Sequence, residues 1–378
     1  MTAGSVPASP GQAPSGRADR RPRAPLIAEV TRRDVRTGVE HVESSHTAHL
    51  VVSGPDGEVV ASCGDPWHPT FLRSTAKPVQ ATACLEVLDA PGGPEHGLGP
   101  AELAVAWASH RGEPVHLAAV RRLLRHSGTA PTALTCPPAS AEASPGATPS
   151  RLQHNCSGKH ALFALAGARL GLSGAALLDP EAALQQQVLA TLEEVFGPPL
   201  AVAIDGCGAP AIAVPLAPLA AGFTKMAVEP RFSRVRDAGR AHPGLVGGQG
   251  RLESALLSAG AFAKVGAEGV YGVSWTDPEG RPWGLAVKAV DGAVRGVDAL
   301  VIELLTSIGV VPQGTWYPPP PLGGGRPAGV IRTTSEVARL RQVLLDAGVA
   351  GRAGMVPSAG QSAGQSADRW GRGGVRDP

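Results

Sequence analysis

A chain of 378 residues with 43% hydrophobic content is long enough for one large core or two ordinary ones. The formal net charge is only +2, the basic residues are dispersed and aromatic residues make up 4%, which argues against a nucleic-acid-binding face and favours a small-molecule partner. Five cysteines, Cys63, Cys84, Cys136, Cys156 and Cys207, with no secretory leader in view, read as buried thiols, metal ligands or reactive groups rather than a disulfide framework.

Residues 1–24 are rich in Pro, Gly, Ser and Arg, without apolar periodicity, and are expected to be disordered. They lack a signal-peptide core, and no later run approaches the roughly 20 apolar residues of a membrane span, so a cytoplasmic protein without a membrane partner is expected. Residues 26–30 read as a strand, and 49–53 with 58–61 as a hairpin around Gly54-Pro55-Asp56-Gly57. An antiparallel start follows. A helix is then expected from Ser74 toward Asp89, with Pro78 tolerated in its first turn. Residues 100–108 and 113–126 read as helices, and 129–150 as a long loop of the kind that often borders a site. Helices over 161–170 and 179–196 precede a strand at 201–204, which ends in the glycine-rich turn Asp205-Gly206-Cys207-Gly208. Helical stretches at 215–226, 231–242 and 251–263 lead to strands at 269–275 and 283–290 and a last helix over 297–308. From residue 312 onward Pro, Gly and Ser dominate, broken by one short helix near 334–347. The expected organisation is a disordered segment 1–24, one domain over 25–311 and a mostly loose tail over 312–378.

Strands at both ends with helices between them predict an α+β fold: an antiparallel sheet from N- and C-terminal strands, packed with helices and a helical insert. This order resembles the serine β-lactamases and penicillin-binding enzymes, in which a returning strand carries a second cation opposite the serine. Lys288, at the end of the 283–288 strand, takes that place.

Only five of the 34 basic residues are lysine: Lys77, Lys159, Lys225, Lys264 and Lys288. Lysine can lose its proton near neutral pH and arginine cannot, so lysines in such a chain are worth following. Ser74 and Lys77 are spaced i, i+3 on one helical face, where an amine can activate a hydroxyl. The plainer alternative is a helix cap beside a solvated charge. To act as a base Lys77 must shed its proton, which burial and a second cation such as Lys288 both favour. Ser109 and His110 sit at a helix break and read either as a cap or as a second serine of a Ser-Lys relay. By spacing, Cys156, Lys159 and Cys207 are not a standard zinc pattern, and His154 and His160 leave other ligand sets open. Asp205 either caps its turn, orients a lysine or meets a substrate ammonium.

Taken together, Arg73-Ser74-x-x-Lys77, Ser109-His110-x-Gly112-Glu113, Asn155-Cys156-Ser157-Gly158-Lys159-His160, Asp205-Gly206-Cys207-Gly208 and Lys288-x-x-Asp291-Gly292 resemble the Rhizobium-type, or class 3, L-asparaginases of the asparaginase II family, over residues 26–310. The resemblance implies hydrolysis of L-asparagine to L-aspartate and ammonia on a β-lactamase- and glutaminase-like fold. It implies Ser74 as nucleophile with Lys77, a second pair of Ser109 with Lys288, and Arg73, His110 and Asp205 near the substrate. It also implies zinc held by Cys156, Lys159 and Cys207, and a homodimer. Glutaminase is the nearest alternative, because one methylene gives only about 1–3 kcal/mol of discrimination. A penicillin-recognising enzyme is weakened because Lys288-Ala289-Val290 departs from Lys-Thr-Gly. A zinc- or thiol-based sensor is the non-enzyme alternative.

Overall fold

The computed structural model describes residues 22–93 and 95–351, so the expectations for 1–21 and for 352–378 lie outside the described residues. Its strands are β1 (Leu26–Arg33), β2 (Glu40–Ser53), β3 (Val59–Cys63), β4 (Pro69–Phe71), β5 (Ala201–Ile204), β6 (Pro210–Pro215), β7 (Phe262–Gly266), β8 (Val270–Thr276), β9 (Pro282–Ala289), β10 (Leu322–Gly323), β11 (Arg326–Pro327) and β12 (Ile331–Thr333). The helices up to the middle of the chain are α1 (Lys77–Leu88), α2 (Pro100–Ala106), α3 (Pro114–Ser127), α4 (Ser157–Arg169) and α5 (Ala183–Phe196). They are followed by α6 (Leu216–Val228), α7 (Ser233–Ala241), α8 (Pro243–Gly247), α9 (Leu252–Ser258), α10 (Val294–Ser307) and α11 (Ser335–Asp346).

Strands from both ends of the chain form one antiparallel sheet in the order β12-β1-β2-β9-β8-β7, with β3 also paired to β2. The α+β layout expected from the sequence is therefore present. Side-chain alternation buries both faces of the sheet centre. Val51, Phe262, Val270 and Ala286 face a core shared with α1 to α7, whereas Leu50, Val52, Tyr271, Val273, Leu285 and Val287 face a second core shared with α9, α10 and α11. A smaller sheet, β4-β6-β5, lies within the helical side. Among the described residues no helix is long and apolar enough to cross a membrane.

Two expectations change. The folded body does not stop at 311: β12 pairs antiparallel with β1, and α11 buries Val337, Leu340 and Leu344 in the second core. Composition hid this, because the Pro- and Gly-rich residues 318–325 read as a connecting segment, and the three-residue strand after them is too short to show periodicity. The helix expected over 251–263 ends at Ser258, and residues 262–266 are the edge strand β7. Gly260, at φ +94°, makes the break.

Candidate active site

The small sheet brings two distant segments together. Phe71 of β4 pairs with Ala213 of β6, and β6 pairs with β5 on its other side. The chain after β4 and the β5–β6 turn thus emerge as neighbours, and Arg73 Nε donates to Asp205 Oδ1 across them at 2.8 Å. Arg73 has φ +48°, one of two non-glycine residues in the left-handed region among the described residues. Such backbone strain persists where the surroundings hold it, and it concentrates at functional sites. Here it swings the chain into a 3-10 turn, Arg73–Ala76, which carries Ser74 and leads directly into α1.

Lys77, the first residue of α1, is buried to 1% exposure. Its Nζ donates to Ala108 O at 2.6 Å and to Ser109 Oγ at 3.1 Å, both supplied by the segment leaving α2. A buried polar group without partners is costly, so these bonds fix the position of the amine. Ser74 and Ser109 line one cavity of about 210 Å³, together with Asn155, Gly266, Tyr271 and Asp298. That volume suits a small metabolite.

The second buried lysine beside the Ser74 turn is Lys264, on β7, rather than Lys288. Lys288 Nζ donates to Glu268 O at 2.7 Å and to Ala289 O. It lies on β9, which β8 separates from β7, a displacement of roughly 10 Å across the sheet. The strand beside the Ser74 turn is β7. A Cβ at Gly266 would come within 3.2 Å of Leu72 O and 3.4 Å of Arg73 Cβ, so glycine lets β7 approach the turn closely. Lys264, two residues earlier and fully buried, points to the same face as Phe262, toward the helical core. Burial pushes its amine down from the usual lysine range, and the positive charge of Lys77 adds to this while Glu253 opposes it. Lys264 Nζ is held by Glu253 Oε1 at 2.6 Å, and the same oxygen accepts from Val265 N at 2.8 Å. Lys264-Val265-Gly266 keeps the outer residues of the Lys-Thr-Gly pattern, the signal that could have identified it.

Cys156, Lys159 and Cys207 do come together. Lys159 Nζ lies 3.0 Å from Cys207 Sγ, and Cys207 Sγ lies 3.6 Å from Asp205 Oδ2. A hydrogen bond from Cys207, against the cost of burial and with help from Lys77 and Lys159, holds the Cys156 thiol well below its usual range. The same bond, with burial, raises Cys207. Burial alone would lower Lys159, but the two sulfurs and Asp205 raise it. Burial would raise Asp205, yet Lys159 and Arg73 keep it low. Among the described residues no group of three or more His, Cys, Asp and Glu side chains could hold a metal ion. A zinc site here would need the Lys159 amine in neutral form. Two sulfurs and one nitrogen converging in a buried place are a donor set that fits zinc.

His110 is not at the cavity. Its Nδ1 accepts from Gly112 N at 3.1 Å, so Nε2 carries the proton and donates to Ser157 Oγ at 2.9 Å, which in turn donates to Leu152 O. Burial, with His116 and Lys77 nearby, holds its pKa well below the usual range, and the ring is neutral. It ties α4 to the segment after α2. The expectation that His110 meets substrate is replaced by this buried structural role. Sequence reasoning also missed Glu253, Tyr271 and Asp298. The sequence mark of Asp298 was a carboxylate inside the apolar run of α10.

The L-asparaginase II family model matches residues 30–332. No match was found among curated proteins. Among solved structures, a Bacillus glutaminase in the presence of 4.3 M NaCl matches at 14% identity over 68% of this chain and 89% of that chain, with a TM-score of 0.30. Over most of its length, then, and with Ser74 and Ser109 on one cavity and Lys77 bonded to Ser109, the chain belongs to the L-asparaginase II family of amide hydrolases.

Proposed function

We propose that this protein is an L-asparaginase that works through an acyl-enzyme on Ser74. The observation that carries this reading is the cavity shared by Ser74 and Ser109, with the Lys77 amine hydrogen-bonded behind it. Ser74 Oγ attacks the side-chain amide carbon and its proton passes to the Lys77 amine. The Ser74 and Ala267 backbone N–H groups would stabilise the oxyanion; both residues line the cavity. Ser109, bonded to Lys77, returns a proton to the amide nitrogen as the C–N bond breaks and ammonia leaves. Water then attacks the β-aspartyl ester, releasing L-aspartate and restoring the Ser74 hydroxyl. Lys264 supplies the second cation, in place of Lys288. Arg73 holds Asp205 at the edge of the thiol cluster. Cys156, Lys159 and Cys207 would hold zinc, which when bound supplies fixed positive charge close to the substrate.

A homodimer is part of the proposal. Leu200, just before the edge strand β5, and Val202 and Ile204 along it are 56%, 52% and 67% exposed, and an apolar edge of this kind suits pairing with a second copy. The assay that tests the function is ammonia release from L-asparagine and from L-glutamine, each with and without added zinc. Release from L-asparagine at a higher kcat/KM than from L-glutamine is expected. Release from neither amide under any condition would contradict the proposal.

A further inference from the structure

The wall of the cavity facing away from the thiol cluster is built from charged groups that are already paired, with one exception. Glu253 is paired with Lys264, and Arg251 with Glu142 on the rim. Asp298, on α10, is half-buried and forms no hydrogen bond or ion pair among the described residues. Next to it on the cavity wall is Tyr271, 1% exposed, whose hydroxyl is buried without a hydrogen-bond partner among the described residues. A buried donor and a half-buried carboxyl, neither with a hydrogen-bond partner among the described residues and both lining the space that Ser74 opens onto, form an incomplete pair of contacts. What would complete it must bring a cation for Asp298 and an acceptor for the tyrosine hydroxyl, close together.

Resting on the reading that this cavity takes an amino-acid amide, we propose that Asp298 binds the substrate α-ammonium while the Tyr271 hydroxyl donates to the α-carboxylate. The two groups of a zwitterionic amino acid leave the same carbon, which matches adjacent partners of opposite demand. Asp205 is poorly suited to the ammonium, since its two oxygens already meet Arg73 and Cys207. The far wall therefore makes the enzyme selective for free amino acids over amides that lack the amine. Burial, opposed by Arg251 and with Glu253 adding to it, pushes the Asp298 carboxyl up to about 7, and a bound ammonium would draw it back toward the charged form.

The test is calorimetric binding of L-aspartate and of succinate, its amine-free analogue, to the full-length protein, to Asp298→Asn and to Tyr271→Phe, with melting curves as the check on folding. The wild type is expected to prefer L-aspartate to succinate by about 50-fold or more. Asp298→Asn should lose that preference while succinate affinity moves less than about 3-fold, and Tyr271→Phe should weaken both ligands alike. Equal binding of the two ligands by the wild type, or wild-type discrimination by Asp298→Asn, would overturn the inference. If that occurred while L-asparagine still released ammonia, the hydrolase reading would stand and this one would fall. Amine-dependent binding of L-aspartate with no amide hydrolysed would uphold this inference and sink the hydrolase reading.

Discussion

Lys77 Nζ donates to Ser109 Oγ at 3.1 Å, while Ser74, one turn earlier, is left to the cavity that both serines line. The serine nearest Lys77 in sequence is therefore not the one its amine holds. Lys264, on the adjoining strand β7, is the second buried amine the fold places nearby.

Replacing each candidate lysine separates them. Lys264→Ala should lower kcat for ammonia release by about 100-fold or more, in the range of a lost general acid–base group. Lys288→Ala, whose amine is bonded to Glu268 O and Ala289 O, should stay within about 3-fold of wild type. Steady-state kinetics on both variants decides between them. Equal losses would return Lys288 to the site.

The Glu253–Lys264 pair is buried at 3% and 0% side-chain exposure, and opening it from one side leaves an uncompensated charge. Glu253→Ala should cost about 3–5 kcal/mol in denaturant unfolding. Glu253→Gln with Lys264→Met should recover most of that stability and remain inactive. Recovery of activity with stability would show that the pair only packs.

Asp298 gives the stability curve a sign. Its carboxyl titrates at about 7 when folded and near 3.8 in an exposed chain, so the folded state keeps its proton longer. The stability this contributes is complete below about pH 4 and lost as pH rises through about 7. Asp298→Asn should thus melt higher than wild type at pH 8, with no gain near pH 4. Its gain is bounded by about 4 kcal/mol and reduced by water reaching a half-buried group. Arg251, Glu253 and Tyr271, which share its cavity, are left in place by the isosteric change.

The thiol cluster predicts an order of reactivity that exposure alone would reverse. Cys63 is the most accessible of the described cysteines, yet burial, with Glu336 adding to it, pushes its thiol up to about 11. Cys156 is 4% exposed, but Cys207, against the cost of burial, and the two lysines hold its thiol well below the usual range. Brief alkylation near pH 7, read by peptide mass spectrometry, should label Cys156 ahead of Cys63, because the thiolate is the nucleophile. Added zinc should suppress that labelling. Labelling of Cys63 first would contradict the charge arrangement described for Cys156.

Much of this was legible in the sequence. Apolar periodicity located α5 and α6, the Gly54-to-Gly57 turn located the β2–β3 hairpin, and the rarity of lysine directed attention to Lys77 and Lys159. What failed was register. Residues 251–266 carry apolar side chains compatible with helix or strand, and only the tertiary setting, an edge position beside the Arg73 turn, makes 262–266 a strand. Losing β7 moved the second lysine two strands away. His110 failed for a different reason: a motif fixes that a residue matters without fixing whether it meets ligand or backbone. The pairing of β12 with β1 joins residues some 300 positions apart, at Val30 and Ile331, which no local pattern announces.

The most direct test of the account is ammonia release from L-asparagine by wild type and by folded Ser74→Ala, followed by mass spectrometry of the wild type quenched during turnover. Loss of at least about 1,000-fold in kcat for the variant, with an aspartyl adduct on the Ser74 peptide of the wild type, is the predicted result. A folded Ser74→Ala protein that releases ammonia at the wild-type rate would contradict it.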